Sequence, residues 1–290
     1  DIRRDGLCIL CTNGCGAMSH VRAEWGSIKS QYDAILAANP DDRVPVDRHV
    51  MLTRCRCWLV YRGYSQAINL ACLLTVSTRH ANRPVWDFHV PSGMGKVVPL
   101  RLAIELEPGR NRATLGFHRL PARRDVHMDD SRPVTLIVRP DIEDRNAHHK
   151  TKAYTGPELA WPAAIAPEAS AFTFSPAPER HLRVECTRGD FTPEPEWQYM
   201  VQHAAEAQRG LDDSSDLFSP GYFRFTLSGD DSVQITAGLQ SGAEAHIPNV
   251  ARDSPAPQRE TGDLPMLDAL ARAIRAYIVR RDDSQTVIAG

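Results

Sequence analysis

The sequence predicts a mainly β protein: a large antiparallel β-sandwich, followed by a linker and one C-terminal helix. Three observations carry this expectation. Apolar and polar residues alternate in about ten short runs, the period of strands with one buried face. The chain holds 21 Pro and 18 Gly, which suit many turns better than long helices. Between those runs no helical period shows, and closely spaced strands without helices build sandwiches or closed β architectures.

Taken in order, LCIL opens a short apolar strand in Leu7 to Ala17, and Thr12-Asn13-Gly14 then turns the chain. Ser27 to Ala37 reads as a strand or a short helical turn, and Pro40 to Arg43 as a turn. Val44 to Tyr61 is a strand with a polar break, carrying Val50, Leu52, Arg54, Arg56, Trp58 and Val60 on one parity. Further strands are expected at Ala67 to Ser77, Val85 to Val90, Val97 to Leu106 and Arg112 to Arg119. The last two form a hairpin through the turn Pro108 to Asn111. Val134 to Arg139 is a strand that empties into the polar run Asp141 to Lys152. Pro157 to Ala169 is rich in Pro and Ala without a period, which predicts a loop. Leu182 to Cys186, Tyr222 to Leu227 and Val233 to Ala237 complete the strands.

Between two of these, Arg209 to Phe225 reads as an acidic, Ser-rich turn with a rigid corner at Ser219-Pro220-Gly221. Residues 1–242 then form the β domain, and residues 243–290 a polar, Pro-rich linker plus a helix. Asp263 is the expected N-cap, and Leu267, Leu270, Ala271, Ile274, Tyr277 and Ile278 recur at helical spacing. That apolar stripe needs a partner, and a homodimer is one way to cover it.

A net charge of −2 offers no electrostatic case for nucleic acid or an anionic membrane. The longest apolar run, Ile68 to Val76, is about half of what a transmembrane helix needs. The chain starts at Asp1 without Met and shows no signal peptide, so it is expected to be trimmed at its start or to begin at an internal point of a longer protein. Seven Cys, an odd number without a regular framework, favour a reducing cytoplasm. Cys8, Cys11 and Cys15, with Cys55 and Cys57, raise a zinc or iron–sulfur reading. However, C-x-C on an alternating strand puts both thiols on one face, usually the core, so no metal is expected.

Chemistry-bearing residues concentrate in Asp141 to Lys152, where Asp144, Arg145 and Asn146 suit hydroxyl-rich ligands and His148 and His149 stand adjacent. Trp58 and Trp86 belong in strands and in the core, whereas Trp161 and Trp197 sit in expected loops and could stack on sugar rings. A phosphate loop, a Ser-His-Asp pattern and HExxH are all missing from the sequence.

Several stretches, in order, resemble the N-terminal domain of bacterial-type glycogen debranching enzymes, the amylo-α-1,6-glucosidase family. TNGCGAM (Thr12 to Met18) resembles the family's TNG-x-GG opening, with Ala17 in place of its last Gly. SQYDAILAAN (Ser30 to Asn39) is similar to its YHGLL strand, with Asp33 where His is usual. PVDRHVMLTR, RPDIEDRNAHHKTK, EWQYMVQHAAEAQRGLDDSSDLFSPGYFRF and YIVRRDDSQTVIAG follow in the family's order. The resemblance implies a β-supersandwich leading through a helix into a catalytic (α/α)6 barrel in the same polypeptide, and an α-glucan substrate such as glycogen or limit dextrin. It places the catalytic acid and base on the barrel, beyond a DWGRD-type segment, so no catalytic residue and no cofactor is expected here and the chain alone should be inactive. What remains is contact with the substrate. Arg145, His148 and His149 are expected to form one contact loop, Asp213, Asp216 and Phe218 a second, with Trp197 as a stacking face. The rival expectation is a stand-alone carbohydrate-binding or purely structural β-sandwich module.

Overall fold

The computed structural model describes residues 6–41, 47–78, 83–240, 271, 274–275, 277–281 and 284–287. Two eight-stranded sheets dominate it, and they face one another as a sandwich. The first sheet comprises β1 (Cys8–Thr12), β2 (Met18–Arg22), β3 (Ala34–Ala38), β4 (His49–Tyr61), β5 (Tyr64–Ala67), β10 (Val134–Asn146), β14 (Asp190–Gln202) and β15 (Ser214–Leu227). Its order is β1-β2-β3-β4-β10-β15-β14, and β5 pairs with β4 beyond the stretch that β3 occupies. The second sheet comprises β6 (Leu73–Ser77), β7 (Val85–Pro91), β8 (Val97–Leu106), β9 (Arg112–Arg119), β11 (Ile165–Pro167), β12 (Ala171–Ala177), β13 (Arg180–Cys186) and β16 (Ser232–Gln240). Its order is β11-β12-β13-β16-β9-β8-β7-β6.

Side-chain alternation explains the packing. Leu100, Leu102, Ile104 and Leu106 of β8, Leu115 and Phe117 of β9, and Val233 and Ile235 of β16 are buried from the second sheet. Leu59 of β4, Leu136 and Val138 of β10, and Phe223, Phe225 and Leu227 of β15 meet them from the first, in one contiguous core. The expected hairpin is present as β8 and β9, with Leu106 opposite Ala113. Cys55 and Cys57 both face the core, and Cys57 Sγ accepts a hydrogen bond from Trp25 Nε1 at 3.4 Å.

The structure departs from the sequence reading in several places. Ala67 to Ser77 is not one strand: β5 ends at Ala67, a 3-10 turn follows over Leu70–Cys72, capped by the Asn69 side chain, and β6 begins at Leu73. Pro157 to Ala169 is not a loop: it holds a two-turn helix, α1 (Pro157–Ala163), and then β11. Pro157 takes the first helical position, where its missing N–H costs nothing, and a helix this short has no period to read. The polar run after Arg139 is not a loop at first either, because β10 continues to Asn146. Ser219-Pro220-Gly221 is no corner: it lies inside β15, which begins at Ser214. In Ser27 to Ala37 only the end becomes a strand, as β3.

A short helix, α2 (Ala204–Ala207), joins β14 to β15. Near the C-terminus, β17 (Ile278–Arg281) and β18 (Ser284–Val287) form a separate hairpin, so Ile278 is a strand residue and not the end of a helical stripe. Ala271, Ile274 and Arg275 are helical and exposed, while the linker and most of the expected helix lie outside the described residues. Among the described residues no helix is long and apolar enough to cross a membrane.

Candidate functional site

The outer face of the first sheet is polar yet largely covered, and β-bulges create it. Asp141 opposes Arg54 and Ile142 opposes Leu52, so Thr53 is an extra residue on β4. This shift lets Thr53 and Arg54 both reach carboxylates on β10. Asp141, fully buried, accepts from Arg54 Nε at 2.7 Å and Arg56 Nη2 at 2.8 Å. Glu143, also fully buried, accepts from Arg145 Nε at 2.7 Å, Thr53 Oγ1 at 2.6 Å and Thr151 Oγ1 at 2.8 Å. Arg139 reaches Glu194 and Glu196 on β14. Burial alone would raise the Glu196 carboxyl, but Gln198, Arg56 and Arg139 together hold it below the usual carboxylate range.

This network brings the two predicted contact stretches together. Asp216 N–H donates to Thr151 O at 2.9 Å, and Lys152 Nζ donates to Ser214 O at 2.8 Å and pairs with Asp212. Trp197 lies opposite Phe218 across β14 and β15. The predicted residues nevertheless differ in what they can touch. His148 and His149 are exposed, with Tyr32 Oη 3.2 Å from His148 Nδ1. Asp213 is half-buried, and its carbonyl accepts from His203 N–H.

Arg145, Asp216 and Phe218 are buried, against the expectation that they meet a ligand. Arg145 gives its remaining donors to Gln31 O at 2.6 Å, His149 O at 2.9 Å and Ala147 O at 3.3 Å. Phe218 is enclosed under Trp197 at 5.1 Å and Trp161 at 6.3 Å. The Asp216 carboxylate accepts from Ala153 N–H at 2.7 Å and Met200 N–H at 2.8 Å. All three position their neighbours, because a buried charge or ring keeps its place only with every partner satisfied.

What they position is an aromatic edge. Trp161, on α1, is buried and stacks on Trp197 at 5.4 Å, which stacks in turn on Tyr199 at 6.3 Å. Tyr199 is 54% exposed and donates its hydroxyl to Glu158 of α1 at 2.6 Å. Asp216 holds Ala153, next to the exposed Tyr154, and also Met200, which sits at φ 54° with its side chain exposed. Leu159 of α1 is exposed as well. Sequence reasoning named Tyr199 as a possible stacking face but missed Tyr154, Leu159 and Met200 as surface groups, since large apolar residues read as core. The i, i+2 spacing of Trp197 and Tyr199 was the available signal that two rings share one face.

A second polar cluster occupies the β1 edge. Cys8 Sγ lies 2.9 Å from His20 Nε2, and His20 Nδ1 lies 2.8 Å from Asp33 Oδ1. Arg22 Nε, Lys29 N–H and Ser30 N–H donate to Asp33 Oδ2. Burial works against a charged His20, but the Asp33 carboxylate and then the Cys8 sulfur outweigh it and push the imidazolium up to about 9 from 6.5. A charge favoured by folding stabilises fully below the unfolded value and is lost as pH rises through the folded one. The unfolding free energy should therefore fall between pH 6.5 and about 9, and His20→Gln should flatten that fall. Urea titrations at the two ends of the window check this; an equal slope in the variant would exclude His20 as the cause.

No curated protein matches the chain significantly. Residues 8–234 match the family described as glycogen debranching enzyme N terminal, a span from the start of β1 into β16 that includes both sheets and the aromatic edge. On that match, most of its length, the chain belongs to the glycogen debranching enzyme N-terminal family.

Proposed function

We propose that this β-sandwich is the non-catalytic N-terminal domain of a glycogen-debranching α-1,6-glucosidase working in cytoplasmic α-glucan breakdown. In this reading it supports a catalytic (α/α)6 barrel of the same polypeptide and lends its aromatic edge to the substrate. The observation that carries the reading is the family match over residues 8–234. The parent reaction, hydrolysis of an α-1,6-linked glucose, needs one carboxylic acid to protonate the leaving oxygen and one carboxylate to activate water. Asp141 and Glu143 cannot take those roles, since each is fully buried and locked by arginines. Tyr199, exposed at the end of the stack that Trp197 and Trp161 continue inward, can act by stacking, because a sugar ring's C–H face packs on an aromatic face, and the exposed His148 and His149 offer hydrogen-bonding groups for sugar hydroxyls.

Two measurements on the purified chain test this. No glucose should be released from a limit dextrin; measurable release would overturn the non-catalytic assignment. Calorimetry with maltooligosaccharides should detect binding that weakens about three- to tenfold in Tyr199→Ala, the loss of one aromatic contact. Unchanged binding would remove the aromatic edge from the substrate contact. The exposed stack also favours a second reading, a stand-alone carbohydrate-binding module. Adding the chain in trans to a debranching barrel separates the two: stimulated activity supports the supporting-domain reading, and binding without stimulation supports the module.

A further inference from the structure

The cluster at the β1 edge plays no part in that reading, and its geometry is that of a nucleophile, a base and a residue that orients the base. Cys8 pairs with Arg22 and Leu10 with His20, so Cys8, His20 and Arg22 project from one face of the β1–β2 pair. Asp33 arrives from the residue before β3 and closes the series. Asp33 accepts at Nδ1, which must then carry the ring proton. A contact of 2.9 Å between Cys8 Sγ and Nε2 has room for one proton, shared between sulfur and nitrogen. Among the described residues β1 is an edge strand and Cys8 is half-exposed, so the residue lies open to solutes.

The other thiols lack this setting. Cys11, Cys55, Cys57, Cys72 and Cys186 are buried, and burial pushes Cys11 and Cys57 up to about 12. Cys15 is half-buried, and its sulfur has no histidine against it among the described residues. The same three side chains offer ligand atoms close enough for a metal. Yet both oxygens of Asp33 are already taken, by His20 on one side and by Arg22, Lys29 and Ser30 on the other. That leaves two protein ligands beside a guanidinium, fewer than a zinc site uses.

We propose that Cys8, His20 and Asp33 form a thiol-modification site for small-molecule disulfides, with Cys8 the nucleophile, His20 its base and Asp33 the positioning residue. The Cys8 sulfur bonds to one sulfur of the disulfide, whose S–S bond breaks. The departing sulfur leaves with the bonding electron pair and takes the proton that His20 Nε2 received from Cys8. Cys8 is thereby oxidised to a mixed disulfide and the leaving half is reduced to a thiol, with no further reactant.

The test is the reaction of the native full chain with dithiobis(nitrobenzoate), itself a disulfide, followed across pH. The charged and titratable groups around the site are Cys11 on β1, Arg22 on β2, Glu24, Lys29 and Asp33 in the following loop, and Glu206 of α2 behind Arg22. One thiol should react at least about tenfold faster than the others, and about tenfold faster than free glutathione near pH 6. Cys8→Ser should abolish that phase, while Cys15→Ser leaves it. His20→Gln should slow it about tenfold with the circular dichroism unchanged. A fast phase that survives in Cys8→Ser with unchanged circular dichroism overturns the proposal, and so does a wild-type rate near pH 6 no greater than that of glutathione, an outcome that needs no variant. One tightly bound zinc per chain that must be removed before Cys8 reacts would also overturn it, in favour of a metal site.

Discussion

Replacing Arg145 with Ala should lower the unfolding free energy by about 3–5 kcal/mol, the range for removing one partner of a buried ion pair. Glu143 would stay fully buried with only the hydroxyls of Thr53 and Thr151, while the carbonyls of Gln31, Ala147 and His149 would each lose a donor. Urea denaturation of the purified variant measures this. The double variant Glu143→Leu with Arg145→Met should lose less than Arg145→Ala alone, since it removes the stranded charge along with its partner. A loss in Arg145→Ala below about 1 kcal/mol would mean that water replaces the guanidinium and that the network is not sealed. The effect should extend to the aromatic edge: Arg145 holds the turn carrying His148 and His149, and Thr151 passes that position to Asp216.

Gly221→Ala should cost on the order of 3–5 kcal/mol, adding overpacking to backbone strain. Its φ is 154°, and a Cβ there would lie 2.1 Å from Thr192 O and 2.9 Å from Glu194 N. Both are backbone atoms of the neighbouring strand, so the clash cannot be relieved by turning a side chain. β14 and β15 would have to separate at the bulge where Gly221 faces Pro193 and Ser219 faces Glu196. Gly210→Ala is the control: φ there is 68°, but nothing lies within 4 Å of the added carbon, and a loss of about 1 kcal/mol is expected. Equal midpoints for the two variants in thermal melts would contradict the close-approach explanation.

Gly221 also shows why the corner in the sequence reading is a bulge. Pro-Gly is a turn signal only when the chain is free to reverse. Here Phe218 and Phe223, on either side, are both drawn into the core, and the chain continues as one strand. β10 failed to read beyond Arg139 for a related reason. Hydropathy treats Asp141, Glu143 and Arg145 as solvent-facing, whereas each is buried because a partner comes from elsewhere: Arg54 and Arg56 from β4, Thr151 from the far side of the turn. Trp161 was likewise misjudged, since the residues that enclose it, Phe174, Trp197 and Phe218, arrive from three later strands.

By itself the sequence determined the β-sandwich and the β8–β9 hairpin, because strict alternation and turn residues are local properties that hold wherever the strand is placed, and its ordered motifs resembled the family that residues 8–234 match. It also singled out stretches that meet at one end of the first sheet. Only the tertiary structure decided which of their residues are buried supports and which face solvent, and that Cys8, His20 and Asp33 form a single site. Those outcomes depend on strand register and on bulges, where a shift of one residue exchanges the two faces of a strand, and register is set by pairings between segments far apart in the chain.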